Sequence, residues 1–279
     1  MLERGVVVMS EPAAAMGPPT TRRPVLRVEG GHADYVLDEV ATELPLTVIV
    51  NGVEVATLVA TPADLEDLVY GFLVSEQVVA GPEALLALQF DPGSQTVRVD
   101  ADADVEDAGR RMFERRYITS CCGKGRASIY FASDAAALRH VQGGQLLAVE
   151  TALELLQGLQ QQSDIFRRTG GVHNVALAST DGEVLAVRAD IGRHNALDKL
   201  YGHCLRQHIA TSDLLAVLSG RISSEILLKA AKLGLPLVLS KSAPTELALA
   251  LADEIGITVI GFARHQRLNV YTHPERIVV

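Results

Sequence analysis

The sequence predicts an α/β protein built from a small N-terminal α+β domain and a larger three-layer αβα domain. In the C-terminal half, short apolar runs alternate with amphipathic helix patterns, which is typical of a parallel or mixed sheet covered by helices on both faces. The N-terminal half instead combines several β-rich runs with one helix pattern. The chain has 279 residues, of which 48% are hydrophobic, enough for one large domain or two smaller ones.

Changes in composition divide the chain into four segments. Residues 1–24 are rich in Ala, Pro and Thr without periodicity, so we expect a mobile tail there. The small domain is expected to span 25–114 and the larger domain 131–279. Between them, a loop over 115–130 carries two adjacent cysteines among arginines, lysine and glycines.

The small domain contains a strong hairpin signal. The stretch 46–59 reads "LTVIVNGVEVATLV", and Asn-Gly between two β-rich runs predicts a tight turn. A helix is expected next, with Thr61 as its N-cap and Pro62 as its first residue. Two further strands are expected at 85–90 and 96–99.

Sequence patterns typical of strands and of helices alternate along the larger domain. Sheets of this type bind ligands where strands end and loops begin. Gly234 is expected to end one of the helices. We expect helices at 151–161, 195–207, 223–234 and 243–256, and strands at 172–179, 183–190, 214–220, 235–240 and 257–262.

Composition excludes several functional classes. The net charge of −9 and pI near 5.4 argue against general binding of nucleic acid. Without an apolar run of about 20 residues, a membrane span is not expected. Arg22-Arg23 is followed by charged residues rather than an apolar segment, so we expect no secretory signal. The three cysteines cannot form a disulfide framework, which indicates a reducing compartment such as the cytoplasm.

Cys121 and Cys122 are the first candidate reactive groups. Neighbouring cations favour the thiolate, the reactive form of cysteine, and Arg115, Lys124 and Arg126 lie close in sequence. A disulfide between adjacent residues is disfavoured, because consecutive Cα atoms lie only about 3.8 Å apart. The alternative interpretation is that both are small core residues.

Polar and cationic residues follow several of the expected strands, which predicts that they gather at one edge of the sheet. Arg, His and bare backbone amides at helix N-termini suit a polyanionic ligand such as a nucleotide or pyrophosphate. Ordinary polar turns and N-caps are the alternative for each motif alone. No dinucleotide or Walker fingerprint is present. The candidate residues are Gly171, His173, Arg193, His194, Gly220, Arg221, Ser242, Arg264, His265 and Arg267, with Asp190, Asn195 and Asp198 nearby.

Five segments together resemble one family. "TGGVH", "DIGRHNALDK", "SGRISSE", "KSAPT" and "GFAR…NVYT" occur in the order found in the FdhD/NarQ family of formate dehydrogenase accessory sulfurtransferases, and the resemblance runs from about residue 45 to 272. It implies a fold similar to cytidine deaminases for the larger domain. The zinc-binding signature of deaminases is missing, so we expect no metal. Cys204 is expected in the core.

The resemblance also implies a function. Family members accept persulfide sulfur from a cysteine desulfurase and transfer it to a molybdenum cofactor with two molybdopterin guanine dinucleotides, before that cofactor enters formate dehydrogenase. They form homodimers. By this analogy, Cys121 carries the persulfide, and the cofactor site is lined by Phe262, Ala263, Arg264, His265, Gln266 and Arg267.

One departure from the family pattern concerns the cysteine loop. Many members have Cys-Gly-x-Cys-Gly, whereas this chain has Lys124 at the second cysteine position. Cys122 could replace that cysteine, or a single cysteine could suffice. Two further hypotheses therefore stay open: a cofactor-binding chaperone that moves no sulfur, and a nucleotide-binding thiol oxidoreductase. The client dehydrogenase and the choice of molybdenum or tungsten are not determined by the sequence.

Overall fold

A long β-hairpin follows a short 3-10 helix (Ala13–Met16) near the start of the described residues. The computed structural model describes residues 13–105, 140–141, 144–264 and 266–279. Strand β1 (Thr20–Glu29) pairs antiparallel with β2 (His32–Ala41) along their full length. Gly30 and Gly31 form the turn, both with positive φ (56° and 83°), as a two-residue type I′ turn requires.

Part of the mobile tail expected at residues 1–24 instead belongs to this hairpin. Residues 20–24 belong to β1, where backbone hydrogen bonds to β2 hold them, while residues 1–12 lie outside the described part of the chain. Gly30-Gly31 between two β-rich runs is a turn signal in the sequence, but no hairpin was predicted from it. The domain boundaries stay a prediction.

The small domain is a four-stranded sheet with a helix on one face. Its elements are β3 (Leu44–Val50), β4 (Val53–Ala60), α1 (Leu65–Ser75), β5 (Leu85–Asp91) and β6 (Thr96–Ala101). The strand order is β4-β3-β6-β5, and inward residues of the strands pack with α1 in one core. The turn between β3 and β4 lies at Asn51-Gly52, as predicted.

The start of α1 differs from the expectation. The helix begins at Leu65, after Asp64 in a left-handed conformation (φ 50°), and Thr61 does not cap it. Thr61 is fully buried and instead serves the contact with the larger domain. Its backbone N–H donates to Asp190 Oδ2 (2.9 Å), and its hydroxyl accepts from the N–H of Ile191 (3.2 Å).

The larger domain is built on a six-stranded mixed sheet. The strand order is β13-β12-β11-β10-β8-β9, with β10, β11 and β12 parallel and the other pairs antiparallel. The predicted helices and strands are found, with ends shifted by a few residues. The elements are β7 (Leu147–Ala148), α2 (Val149–Leu159), α3 (Asp164–Thr169), β8 (His173–Ser179), β9 (Val184–Asp190), α4 (Arg193–Arg206), β10 (Leu214–Leu218), α5 (Ser224–Lys232), β11 (Leu237–Ser240), α6 (Glu246–Ile255), β12 (Thr258–Arg264), β13 (Arg267–Val270) and β14 (Ile277–Val278).

Separate cores cover the two faces of this sheet. Helices α4, α5 and α6 pack on one face around residues such as Leu197 and Leu227. Helix α2 covers the other face, where Leu155 and Leu159 contact alternate strand residues. This arrangement is the three-layer αβα architecture that the sequence predicts. None of the helices among the described residues is long and apolar enough to cross a bilayer.

The two domains meet where α1 crosses α4 at a pair of glycines. A Cβ atom on Gly71 would lie 1.8 Å from the carbonyl oxygen of Asp198, and one on Gly202 would lie 1.8 Å from that of Asp67. Contacts that short are impossible, so only glycine permits this approach of the two backbones.

Ion pairs surround this crossing on both sides. Asp67 of α1 is buried and accepts hydrogen bonds from Arg188 Nε (2.8 Å) and Arg206 Nη1 (2.6 Å). On the opposite side, Lys229 of α5 pairs with Asp198 (2.5 Å to Oδ1). Burial in the interface requires such pairing, since an isolated buried charge is costly.

Lys229 also reaches the end of α1. Its Nζ lies 3.0 Å from Glu76 Oε1 and donates to Ser75 Oγ (2.9 Å). Burial lowers the pKa of Lys229, but the adjacent Asp198 and Glu76 carboxylates outweigh burial and raise it. Lys229 therefore stays charged and ties both domains together.

The glycine crossing yields a stability prediction. Gly71→Ala should destabilise the protein by about 3 kcal/mol or more, because the new methyl group forces α1 and α4 apart. Gly158→Ala is the matched control: it is also helical, but its methyl group would meet only the flexible end of Gln162 (3.3 Å). That control should be neutral or stabilising by up to about 1 kcal/mol. Denaturant unfolding measures both, and equal stabilities would contradict the proposed constraint.

Candidate functional site

The polar segments singled out in the sequence lie along one edge of the six-stranded sheet. Parallel strands β10, β11 and β12 end there, and antiparallel β8 begins there, since Val175 pairs with Leu218 and Leu218 with Ser240. Strand β9 ends at the same edge, because Asp190 pairs with His173. We call this the carboxyl edge, formed among the described residues by 171–173, 190–194, 219–221, 240–242, 262–264 and 266–267.

His173, Arg193 and Gly220 meet at the centre of the carboxyl edge. A Cβ atom on Gly220 would lie 3.2 Å from His173 Nδ1 and 3.5 Å from Arg193 Cβ, so the glycine leaves room for both side chains. Ser219 Oγ lies 3.5 Å from His173 Nδ1. The glycine therefore brings an imidazole and a guanidinium together.

The positive charge of Arg193 at this centre favours binding of an anion. Burial lowers the pKa of His173, and the nearby Arg193 charge lowers it further. Arg193 Nε is buried and makes no hydrogen bond with any described residue. An N–H donor held in this way suits an acceptor from a ligand.

His194 pairs with a residue of the neighbouring helix. Its Nε2 lies 3.0 Å from Oε2 of Glu225, near the start of α5. The hydrogen bond with His194 lowers the pKa of Glu225. Ser223 caps α5 by accepting from the N–H of Ile226 (3.4 Å).

A run of hydrogen bonds connects this centre to the end of β12. Ser240 Oγ donates to the carbonyl oxygen of Gly220 (2.7 Å) and accepts from the N–H of Ser242 (3.0 Å). The carbonyl oxygen of Ser242 then accepts from the N–H of Phe262 (3.0 Å). Ser242 and Phe262 are thereby held in register with Gly220.

The β12–β13 turn adds exposed polar groups to the same edge. Phe262 has a left-handed backbone (φ 51°) at a bulge between Gly261 and Arg264, and Arg264 Cζ lies 5.9 Å from the centre of its ring. Ala263 is buried, whereas Arg264, Gln266 and Arg267 are exposed. His265 lies outside the described residues.

Part of the "DIGRHNALDK" segment serves the domain interface instead of the carboxyl edge. Lys199 is fully buried, pairs with Asp190 Oδ2 (2.7 Å) and donates to the carbonyl oxygen of Thr61 (2.9 Å). Asp198 is engaged by Lys229. Buried cations therefore neutralise both carboxylates, and Asp190 and Asp198 serve the domain interface.

The remaining candidates differ in their surroundings. Gly171 lies at the base of the hairpin, where its Cβ position is 3.3 Å from Ala41. Arg221 is exposed beside Gly220. Cys121 and Cys122 lie outside the described residues. Cys204 is buried in the core as expected, and burial raises the pKa of its thiol to about 12.

The sequence did not single out three polar residues that lie at or next to this edge, namely Ser219, Glu225 and Ser240. Ser219 and Glu225 lie within the "SGRISSE" segment, and Ser240 precedes Ser242, but none carried a distinctive signal of its own. Asn174 is fully buried, and its side-chain amide has no hydrogen-bond partner among the described residues. No group of three His, Cys, Asp or Glu side chains suited to a metal occurs within the described ranges.

Comparison with known proteins places these features in context. The family model described as "FdhD/NarQ family" matches residues 41–278. A "Sulfur carrier protein FdhD" from Bacillus subtilis is 49% identical over 258 residues, which cover 92% of this chain and 97% of the relative. The protein of the same name from Geobacillus kaustophilus is 48% identical with the same coverage.

A solved structure supports the fold. The crystal structure of a putative formate dehydrogenase accessory protein from Desulfotalea psychrophila superposes with a TM-score of 0.75. It is 24% identical in sequence, and the match covers 94% of this chain and all of that one.

The anion hypothesis for the carboxyl edge predicts a pH effect. Binding of GDP should raise the pKa of His173, because a phosphate stabilises the imidazolium that burial and Arg193 disfavour. By linkage, GDP affinity should then fall as pH rises through the bound-state pKa of His173. Histidine NMR titrations with and without GDP measure this. His203, whose pKa burial also lowers, lies in the domain interface and should not respond. A response of both or neither would contradict the hypothesis.

Proposed function

This chain belongs to the FdhD/NarQ family, and on that premise we propose that it is a sulfur carrier for the maturation of formate dehydrogenase. The supporting observation is its 48–49% identity, over 92% of the chain, to proteins named sulfur carrier protein. Similarity of that level over 92% of the chain spans both domains.

Sulfur loading is proposed to occur on Cys121. Its thiolate attacks the outer sulfur of a persulfide on a cysteine desulfurase, so a new S–S bond forms and the desulfurase cysteine leaves as a thiolate. The product is a persulfide on Cys121, with no net oxidation. The neighbouring Arg115, Lys124 and Arg126 favour the thiolate that this step needs.

The sulfur acceptor is proposed to bind at the carboxyl edge. A molybdenum cofactor with two guanine dinucleotides carries two pyrophosphates, and the edge presents Arg193, Arg221, Arg264 and Arg267 on a chain of net charge −9. Guanidinium groups bind phosphate oxygens in pairs. The exposed turn around Phe262 would hold a guanine base. The cofactor is a substrate of this protein, which uses no metal of its own.

The further partners follow from this role. We propose a cysteine desulfurase as donor, formate dehydrogenase as recipient of the cofactor, a homodimer as the working assembly, and the cytoplasm as its location.

A second candidate is a chaperone that binds the cofactor without moving sulfur. The observation that favours it is Lys124 at the position of the second family cysteine. The two candidate functions differ in whether the cysteines of this chain take up sulfur from the desulfurase.

Sulfur loading is tested with the desulfurase and ³⁵S-cysteine. Cys121→Ala should lose the reductant-labile label and formate dehydrogenase activity, while Cys122→Ala should keep part of each. Cys204→Ala is the matched control and should load normally, because the buried thiol of Cys204 is only 2% exposed. If only Cys122→Ala lost the label and the activity, Cys122 would be the persulfide carrier instead of Cys121. If both variants kept the label, the sulfur would be carried outside this loop. An unlabelled wild type that still binds the cofactor would establish the chaperone.

Cofactor binding is tested by calorimetry with GDP. Replacing Arg264 and Arg267 by Ala should weaken binding about ten- to a hundredfold, since a charged hydrogen bond contributes ~1.5–3 kcal/mol. The control replaces Arg27 and Arg98, which are also exposed but belong to β1 and β6, in other sheets. Unchanged affinity in the first variant would place the nucleotide elsewhere.

A further inference from the structure

Arg188 and His203 form a hydrogen bond in the interface between the two domains. Arg188 lies on β9 and donates from Nη2 to Nδ1 of His203, which lies on α4 (2.6 Å). Because a guanidinium group has donors only, Nδ1 is the unprotonated nitrogen of this imidazole. The carrier function proposed above gives the pair no role.

The same arginine holds the buried carboxylate of the small domain. Arg188 Nη2 lies 2.7 Å from Asp67 Oδ2, and the other carboxylate oxygen, Oδ1, accepts from Arg206 (2.6 Å). His203 Nδ1 lies 3.7 Å from Asp67 Oδ2, which is beyond hydrogen-bond distance. Arg188 therefore bridges Asp67 of α1 and His203 of α4.

A proton on His203 Nδ1 would break this arrangement. The ring would lose the hydrogen bond from Arg188 and would place a second positive charge 2.6 Å from the guanidinium nitrogen. Both oxygens of Asp67 already accept from arginines. Asp64 is 42% exposed and lies 3.8 Å from Arg188, so solvent weakens its effect. Among the residues that the structure describes, the imidazolium gains a buried carboxylate only by displacing an arginine.

The charged and titratable groups around His203 come from three elements. They are Asp64, Glu66, Asp67 and Tyr70 at α1, Arg188 of β9, and Arg206 of α4. Burial lowers the pKa of His203 most, and the Arg188 charge lowers it further, whereas Asp67 and Asp64 raise it by less. Burial and the cations together outweigh the carboxylates, which keeps His203 neutral at neutral pH.

Water reaches this cluster in the folded protein. A cavity of about 650 Å³ lies beside it, and its lining includes Asp64, Glu66, Asp67 and Arg206. The His203 side chain is itself 21% exposed. A proton can therefore exchange with His203 without unfolding of either domain.

We propose that this part of the domain interface is acid-sensitive, with the Arg188–His203 hydrogen bond as its pH-responsive contact. While His203 is neutral, Arg188 is held between it and Asp67 and stabilises the packing of α1 against α4. Protonation of His203 releases Arg188 from the ring and weakens the contact between the two helices. Histidine is the side chain whose charge ordinarily changes close to physiological pH, so the interface responds to mild acidification.

The direction of the pH effect follows from linkage. The folded state binds a proton on His203 less readily than the unfolded chain, whose histidines titrate at about pH 6.5. The stabilisation from this contact is therefore complete above about pH 6.5 and is lost as pH falls from there through the lower folded-state pKa of His203. One proton changes the opening equilibrium by at most about tenfold for each pH unit.

Amide hydrogen exchange on the full chain tests the proposal. From about pH 7.5 to about pH 5.5, after correction for the intrinsic exchange rate, protection of α1 and of α4 near His203 should fall at least about threefold. Helix α2 packs on the opposite face of the sheet and should keep its protection. His203→Gln should abolish the fall, because glutamine accepts from Arg188 but takes up no proton.

A matched variant controls for loss of a histidine as such. His32 is exposed on β2, outside the interface, and His32→Gln should show the same fall in protection as wild type. An equal fall in wild type and His203→Gln would overturn the proposal, and so would an equal fall in α1 and α2.

NMR titration of the histidines gives a second readout that requires no variant to fold. In the folded wild type, His203 should titrate below about pH 6.5, and Arg188→Met should raise its pKa because the donor and the charge are lost. A wild-type His203 that titrates above the ordinary value would contradict the proposal. Neither experiment involves sulfur transfer or a nucleotide, so its result is independent of the carrier hypothesis.

Discussion

The close crossing of α1 and α4 at Gly71 and Gly202 is the constraint on which the arrangement of the protein depends. Two helix backbones in direct contact have little room to slide, because a residue with a Cβ atom in place of either glycine would clash with the opposite backbone. Helix α1 belongs to the small domain and α4 to the larger one. The crossing therefore sets how the two domains sit together before any ion pair is considered.

The same crossing positions the candidate site. Helix α4 runs from Arg193 at the carboxyl edge to Arg206 beside Asp67. Its first turn supplies Arg193 and His194 to the edge, and its third turn supplies Gly202 to the domain contact. A helix is stiff over this length, so fixing one end fixes the other. The domain interface near the C-terminal end of α4 thus holds the cationic residues at its N-terminal end in place.

Much of this architecture was readable from local patterns. Alternating apolar runs and helix patterns predicted the αβα layers, and Asn51-Gly52 predicted a turn where one is found. Parallel strands end at one edge, so the clustering of His173, Arg193 and Gly220 followed from their places after or before strands. Gly30-Gly31 carried an equally local signal for the hairpin. Such features depend on backbone conformation and side-chain periodicity, which neighbouring residues determine.

Only the tertiary structure decided the roles of Thr61, Asp190 and Lys199. Thr61 resembles a helix cap in sequence, yet its backbone is bound by Asp190 and Lys199, 129 and 138 residues away. The sequence also does not predict that the glycines of α1 and α4 contact each other, because that contact depends on how two distant helices pack. The sequence by itself determined the elements and the edge where polar groups collect. Which of those groups stay available to a ligand depends on long-range pairing, since a buried carboxylate must find a cation wherever the fold provides one.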